Sequence, residues 1–317
     1  MKLLIQIPCL NEEGTLPLTW EHLPRRLPGV DVIETLVIDD GSNDRTAEVA
    51  RRLGATHVLR LVGRRGLASA FKEGLSASLR LGADVVVNTD ADNQYRGEDI
   101  AALIEPILRG EADIVIGDRR PGTQRNYSFM KRRLQRLGSW VVRRLTGADV
   151  RDAASGFRAY SRDAALRTNV LSSYTYTHDT LLQAGSKNLK IVSVPIQVNP
   201  PVRASRLIGS TIGYVARSAA TILRAYVAYA PMRALALTSA LILAPGVFLV
   251  GRFFYHYVAS TGQSGYTQSL VIGVGLAVIA AIVLLFGVLA DLTRVNRMLL
   301  EDVLYELRRQ GDRKDRP

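Results

Sequence analysis

The sequence predicts an α/β fold built on a mostly parallel sheet, followed by an amphipathic helix and a pair of membrane-length helices. Three observations lead there. Apolar, β-rich runs alternate with helix-spaced segments through residues 2–200. Acids and small residues gather where those runs end, and two long uncharged stretches lie toward the far end of the 317-residue chain.

The elements follow in order. Residues 3–7, 35–39, 57–61, 84–89 and 114–116 are apolar runs of strand length, and 46–53, 66–81 and 99–109 have helical spacing. Single helices between strands make right-handed crossovers and therefore parallel neighbours. Asp44 and Thr46 read as the N-terminal cap of the first of these helices. Cys9, the only cysteine, cannot form an internal disulfide and reads as a small buried filler at the end of the first strand.

The strand ends carry the chemistry. Pro8 to Glu13 closes the first run, Asp39-Asp40-Gly41-Ser42 the second, Asp90-Ala91-Asp92-Asn93-Gln94 the fourth, and Gly117-Asp118-Arg119 the fifth. Strand ends on one edge of such a sheet form the ligand crevice of α/β folds. Asp90 and Asp92, two residues apart on extended chain, point the same way. A hard divalent cation and the phosphates it carries fit between them; a plain polar loop after a strand is the other reading. No Gly-x-x-x-x-Gly-Lys occurs, and no Gly-x-Gly-x-x-Gly follows the first run, so neither common phosphate-binding loop is present.

The net charge of +12 is local. Arg119, Arg120, Arg125, Lys131, Arg132, Arg133, Arg136, Arg143 and Arg144 fall in one acid-free segment, and Arg203, Arg206, Arg217, Arg224 and Arg233 in another. Such segments face an anionic partner or form a solvated basic surface. The apolar stretches that follow direct the first reading to phospholipid and lipid phosphate and away from nucleic acid.

Residues 234–251 and 269–290 carry no charge and reach roughly 27 and 33 Å as helices. Spans are expected at about 234–256 and 269–290, joined by the polar segment 260–265. Arg233 precedes the first, and Arg294 and Arg297 follow the second. The positive-inside rule then makes this a two-span inner (plasma) membrane protein with both termini and the domain over 1–205 in the cytoplasm. The apolar start is cut short by Pro8 and Asn11-Glu12-Glu13, unlike a signal peptide. On a helical wheel Arg206, Arg217 and Arg224 lie within about 20° of one another. Ile208, Ile212, Val215, Ala219, Ile222 and Tyr226 oppose them. Residues 206–233 therefore read as an interfacial helix, with packing against the preceding domain as the alternative. The tail over 291–317 keeps helical spacing at Leu292, Val295, Leu299, Val303 and Leu307, a pattern suited to self-association as a homo-oligomer.

Taken together, Ile7-Pro8-Cys9-Leu10-Asn11-Glu12, the run from Val37 to Thr46 containing Asp39-Asp40-Gly41-Ser42, and Asp90-Ala91-Asp92 resemble the family 2 glycosyltransferases of the GT-A fold. Gly117-Asp118-Arg119, Ser155-Gly156-Phe157-Arg158 and Val194-Pro195-Ile196 narrow the resemblance to polyprenyl-phosphate sugar synthases, over about residues 2–230. The Gln-x-x-Arg-Trp motif of processive synthases is absent, which favours a single transfer.

The resemblance implies transfer of one sugar, with inversion, from a UDP- or GDP-linked donor to undecaprenyl or dolichyl phosphate, with Mg²⁺ or Mn²⁺. Pro8, Leu10, Glu12 and Asp40 match the nucleoside pocket. Asp90, Ala91, Asp92 and Gln94 match the diphosphate site, with Asp90, Asp92 and Gln94 as its metal-holding members. Arg119 matches the position that holds the acceptor phosphate, and Lys131, Arg132 or Arg133 is expected to help it there. Asp179 matches an acid that contacts donor hydroxyls, and Arg203 and Arg206 match basic residues of a loop that closes on the diphosphate. The chain departs from the pattern at Leu10, where an aromatic residue is usual, at Asp118, where Ser is, and at Asp179, where Glu is. Another lipid or polysaccharide acceptor, or a non-catalytic membrane scaffold, would share parts of this pattern.

Overall fold

The computed structural model describes residues 1–120, 129–170, 176–200, 226–227, 229–259 and 265–315. Seven strands form one sheet in the order β3-β2-β1-β4-β6-β5-β7. They are β1 Lys2–Cys9, β2 Val32–Asp39, β3 His57–Arg60, β4 Val85–Asn88, β5 Ile114–Asp118, β6 Arg158–Ser161 and β7 Ile191–Pro195. β1 sits between β2 and β4, parallel to both. Strands covered on both faces read as continuous apolar runs, and from Leu3 to Cys9 every residue of β1 is buried.

The helices are α1 Leu16–Glu21, α2 Thr46–Arg52, α3 Leu67–Arg80, α4 Ile100–Leu108, α5 Phe129–Thr146, α6 Arg162–Arg167, α7 Thr177–Ser186, α8 Pro231–Ala259 and α9 Thr267–Asp315. The five expected strands and three expected helices are present, with ends shifted by a few residues. The single break in parallelism is β6, which runs antiparallel to both β4 and β5. Its outlet explains its brevity. Ser161 ends the strand and caps α6, its hydroxyl accepting from Ala164 N at 3.2 Å. Left-handed backbone recurs at the ligand edge: at Asn11 after β1 and Asn93 after β4, with φ 54° and 58°, and at Gly41 after β2 and Arg120 after β5, with φ 72° and 50°.

The chain separates into two compact units, Met1–Ile222 with Glu301–Pro317, and Leu223–Leu300. In the first unit, the tail returns to the α/β domain. Lys187 Nζ lies 2.9 Å from Glu301 Oε2, with the two side chains 7% and 8% exposed. Tyr305 donates to Asp163 at 2.6 Å beneath the Arg167 guanidinium, and Arg308 donates to the carbonyls of Leu166 and Thr168 at the end of α6.

The second unit is a helical pair. Gly246 and Gly273 let the two backbones approach, since a Cβ on Gly273 would lie 2.8 Å from Gly246 O. Ser239 donates to Ala280 O at 2.8 Å. Small residues and a cross-helix hydroxyl are how helices pack in lipid. Outward side chains such as Leu241, Phe248, Val271 and Leu285 are more than half exposed. Both helices are long and apolar enough to cross a bilayer, and α9 continues without a break beyond Ala290. The expected interfacial helix over 206–233 falls mainly outside the described residues.

Candidate active site

The first two strand ends build one wall. Pro8 is buried in β1 opposite Ile38, and Leu10 and Asn11 follow at the edge. Asn11 N donates to Ser42 Oγ and Asn43 N donates to Asn11 Oδ1, each at 2.9 Å, so the loops after β1 and β2 lock together. Glu12, also buried, donates its amide to Thr46 Oγ1 at 2.8 Å and accepts from the Thr15 hydroxyl. Asp39 caps its own turn by accepting from Ser42 N at 2.8 Å, while its other oxygen lies 3.3 Å from Arg60 Nε.

Asp40 has a more specific task than the sequence conveys. Its two oxygens accept from Arg65 N at 2.7 Å and Gly66 N at 2.8 Å, pinning the loop that leads into α3. That loop and the β2 turn border an open cleft of about 450 Å³ lined by Gly41, Ser42, Asn43 and Arg60 to Gly63. Gly41 is required where the two loops touch: its φ is +72°, and a Cβ would stand 2.7 Å from Gly63 C.

The second wall comes from the end of β4. Asp92 accepts from Gln94 N at 3.1 Å, and Asn93 N donates to Thr19 Oγ1 at 3.0 Å. Asn199 holds this turn from outside, donating to Asn93 O and Gln94 O. Behind it lies a buried network. Gln6 donates to Asn88, Asn88 donates to Gly156 O and Tyr176 Oη, and Gly156 N donates to Tyr95 Oη. Tyr176 stacks on Phe71 and Tyr95 on Phe157, which fixes both phenols. Tyr176 is also the residue before α7, so this network brings the start of that helix, with Asp179 in its first turn, to the same sheet edge.

Charge is balanced poorly at this point. Burial, and then Asp92, push the Asp90 carboxyl up to about 7, against an opposing pull from Arg119. Burial, and then Glu12, Asp39, Asp44 and Asp90, hold the Cys9 thiol well above its usual range. Acids from three strand ends therefore act on one region, with Arg119 opposing them at Asp90. Among the described residues no group of three or more His, Cys, Asp or Glu is placed to hold a metal ion. A Mg²⁺-type ion needs only one or two carboxylates when phosphates supply its other ligands, so Asp90 and Asp92 fit such an ion.

The third wall is the end of β5. Asp118 Oδ1 accepts from Arg120 N at 2.8 Å. Arg119 is gripped by Asp152, Nε to Oδ2 at 2.7 Å and Nη2 to Oδ1 at 3.0 Å, with side chains 11% and 1% exposed. The sequence reading missed Asp152, which sits in a loop without periodic pattern. Arg158, fully buried, donates to Ser155 O, Ala153 O and Thr180 Oγ1 and so ties this loop to α7. Burial, and then Arg158, lower His178 to about 4, so it stays a neutral ring. Arg133 is exposed on α5. The side chains of Lys131 and Arg132, and all of Arg203 and Arg206, lie outside the described residues.

The model for glycosyl transferase family 2 matches residues 4–167, which take in all three walls. The chain belongs to glycosyl transferase family 2. Among similar family 2 proteins, the polyprenol monophosphomannose synthase of Mycolicibacterium smegmatis is 30% identical over 66% of this chain and 82% of its own. The undecaprenyl-phosphate mannosyltransferase of Micrococcus luteus is 33% identical over 67% and 90%. Glucosyl-3-phosphoglycerate synthase from Mycobacterium tuberculosis, solved with Mn²⁺, UDP and glucosyl-3-phosphoglycerate, superposes with a TM-score of 0.56. At 22% identity, covering 71% of this chain and 78% of that one, it shares the fold. The expected GT-A arrangement of a mostly parallel sheet is thus present in this family 2 chain.

Proposed function

We propose that this family 2 enzyme transfers one sugar from a nucleotide sugar to a polyprenyl phosphate at the cytoplasmic face of a membrane. The observation that carries the reading is the meeting of the Asp90–Asp92 pair with the Asp152-held Arg119 at one sheet edge, in a chain that also carries two membrane-length apolar helices. Both mannosyl-transferring relatives make mannose the first sugar to test.

Pro8, Leu10, Glu12 and Asp40 would form the nucleoside pocket at the ends of β1 and β2, Asp40 by holding the loop that leads into α3. Asp90 and Asp92, with Gln94 beside them, would hold Mg²⁺ or Mn²⁺. That ion would neutralise the departing nucleoside diphosphate. Arg119, its plane fixed by Asp152, meets the acceptor phosphate with Lys131, Arg132 and Arg133. A phosphomonoester is largely dianionic near neutral pH, with a second pKa of about 6. Its oxygen attacks the anomeric carbon without a strong base and inverts the configuration. Asp179 contacts donor hydroxyls, and Arg203 and Arg206 close on the diphosphate. Arg233, Arg294 and Arg297 keep both termini on the cytoplasmic side.

Incubating the purified protein with undecaprenyl phosphate, Mg²⁺ and a panel of nucleotide sugars tests the reading. A lipid-linked sugar is expected with at least one donor, and Asp92→Ala should abolish it. Failure with every donor, or full activity in Asp92→Ala, refutes it. Product on a diacylglycerol but none on the polyprenyl phosphate refutes the acceptor assignment alone.

A further inference from the structure

Beyond β7 the chain passes the ends of β5 and β4 as a short strap. Ile196 N donates to Asp118 O at 3.0 Å, at the end of β5, and Gln197 N donates to Asp99 Oδ2 at 2.9 Å, just before α4. Val198 pairs with Tyr95 in an isolated antiparallel bridge. The strap thereby delivers Asn199 to the turn that carries Asp92, Asn93 and Gln94. Asn93 is left-handed there, a conformation that a residue with a side chain keeps only when its surroundings hold it. Both amides and both carbonyls of Asn93 and Gln94 are taken. Asn93 N donates to Thr19 Oγ1 at 3.0 Å and Gln94 N to Asp92 Oδ1 at 3.1 Å. The two carbonyls both accept from Asn199: Asn93 O from Nδ2 at 3.0 Å, and Gln94 O from the backbone N at 2.9 Å.

We propose that Asn199 is a positioning residue that orients the Asp92 carboxylate for the divalent cation of the donor. The inference rests on the reading of Asp92 as a cation-holding carboxylate. It acts through one peptide plane. The Asn93 carbonyl and the Gln94 N–H belong to a single planar unit. Asn199 grips that unit at its oxygen, and Asp92 is held by its N–H. Turning the plane would break both bonds together, and donation to the oxygen strengthens the N–H toward Asp92. The place calls for a side-chain donor. An Asp would set a carboxylate oxygen against the Asn93 carbonyl, and an Ala would leave that carbonyl without the bond.

Full-length Asn199→Ala and Asn199→Asp in detergent test this, with UDP and GDP as probes in calorimetry, each with Mn²⁺ and with EDTA. Affinity in Mn²⁺ should fall by about 10- to 100-fold in both variants, as for the loss of a partner that orients a metal ligand. Affinity in EDTA should stay as in the unsubstituted protein. Hydrogen exchange of the metal-free protein is the independent readout: it should quicken over residues 90–95 and stay unchanged over β1 and β2. Equal losses with and without Mn²⁺ identify a general brace of the domain and overturn the proposal. Unchanged Mn²⁺ affinity, or unchanged exchange over 90–95, overturns it equally. If the unsubstituted protein binds both nucleotides no better in Mn²⁺ than in EDTA, the cation reading of Asp92 fails, and the proposal falls with it.

Discussion

Gly156 lies against the carboxylate on which the proposed site depends. A Cβ there would stand 3.0 Å from Tyr176 Oη and 3.4 Å from both Asp90 oxygens. Gly156→Ala should overpack this corner at about 1–3 kcal/mol. Calorimetry with Mn²⁺ and a nucleoside diphosphate should show binding weakened by about tenfold, the equivalent of 1.4 kcal/mol. Asp152 and Arg119 form a nearly buried pair, so removing either partner strands the other. Asp152→Ala and Arg119→Ala should each destabilise by about 3 kcal/mol. The double variant should lose clearly less than the sum in urea unfolding. His178 supplies a pH dependence. Its folded pKa of about 4 lies below the ordinary 6.5, so the unfolded chain takes up a proton first as the solution is acidified. Stability should fall as pH drops from about 6.5 to 4, and His178→Asn should flatten that slope in denaturant midpoints. The acids at the strand ends were legible because they interrupt apolar runs. Asp152 and Tyr176 act through partners far along the chain, Arg119 and Asn88, and local spacing carries no mark of that.

α3 packs closely at Gly74, where a Cβ would come within 2.8 Å of both Gln6 Oε1 and Ile38 Cδ1. Helix propensity alone would make Gly74→Ala stabilising by about 1 kcal/mol. Packing against β1 and β2 reverses the sign, and a net loss of about 1–2 kcal/mol is expected in thermal unfolding. The elements that the sequence displayed were those with a continuous apolar or helix-spaced signal: β1 to β5 and the helices α2, α3 and α4. β6 was hidden. It has four residues, begins with a buried arginine, and owes its place between β4 and β5 to pairing on both sides. α6 and α7 were equally short of pattern, having six and ten residues. Short elements take their form from what they pack against, so tertiary context decides them.

At the scale of the molecule, the α/β domain is completed by the far end of the chain. Glu301→Gln would leave the Lys187 ammonium, 7% exposed, without its carboxylate, and should lower domain stability by about 3 kcal/mol. Replacing both by methionine should recover most of that loss in the full-length protein. The two-helix segment was plain in the sequence because uncharged stretches of that length have few other uses. The return of the tail was not, since Tyr305 and Arg308 look like ordinary members of an exposed helical repeat. That return sets an order of events during synthesis. Translation runs from the N-terminus, so every residue of Leu223–Leu300 must leave the ribosome before Glu301 can reach Lys187. The α/β domain therefore waits, one clasp short, until the apolar pair has been made.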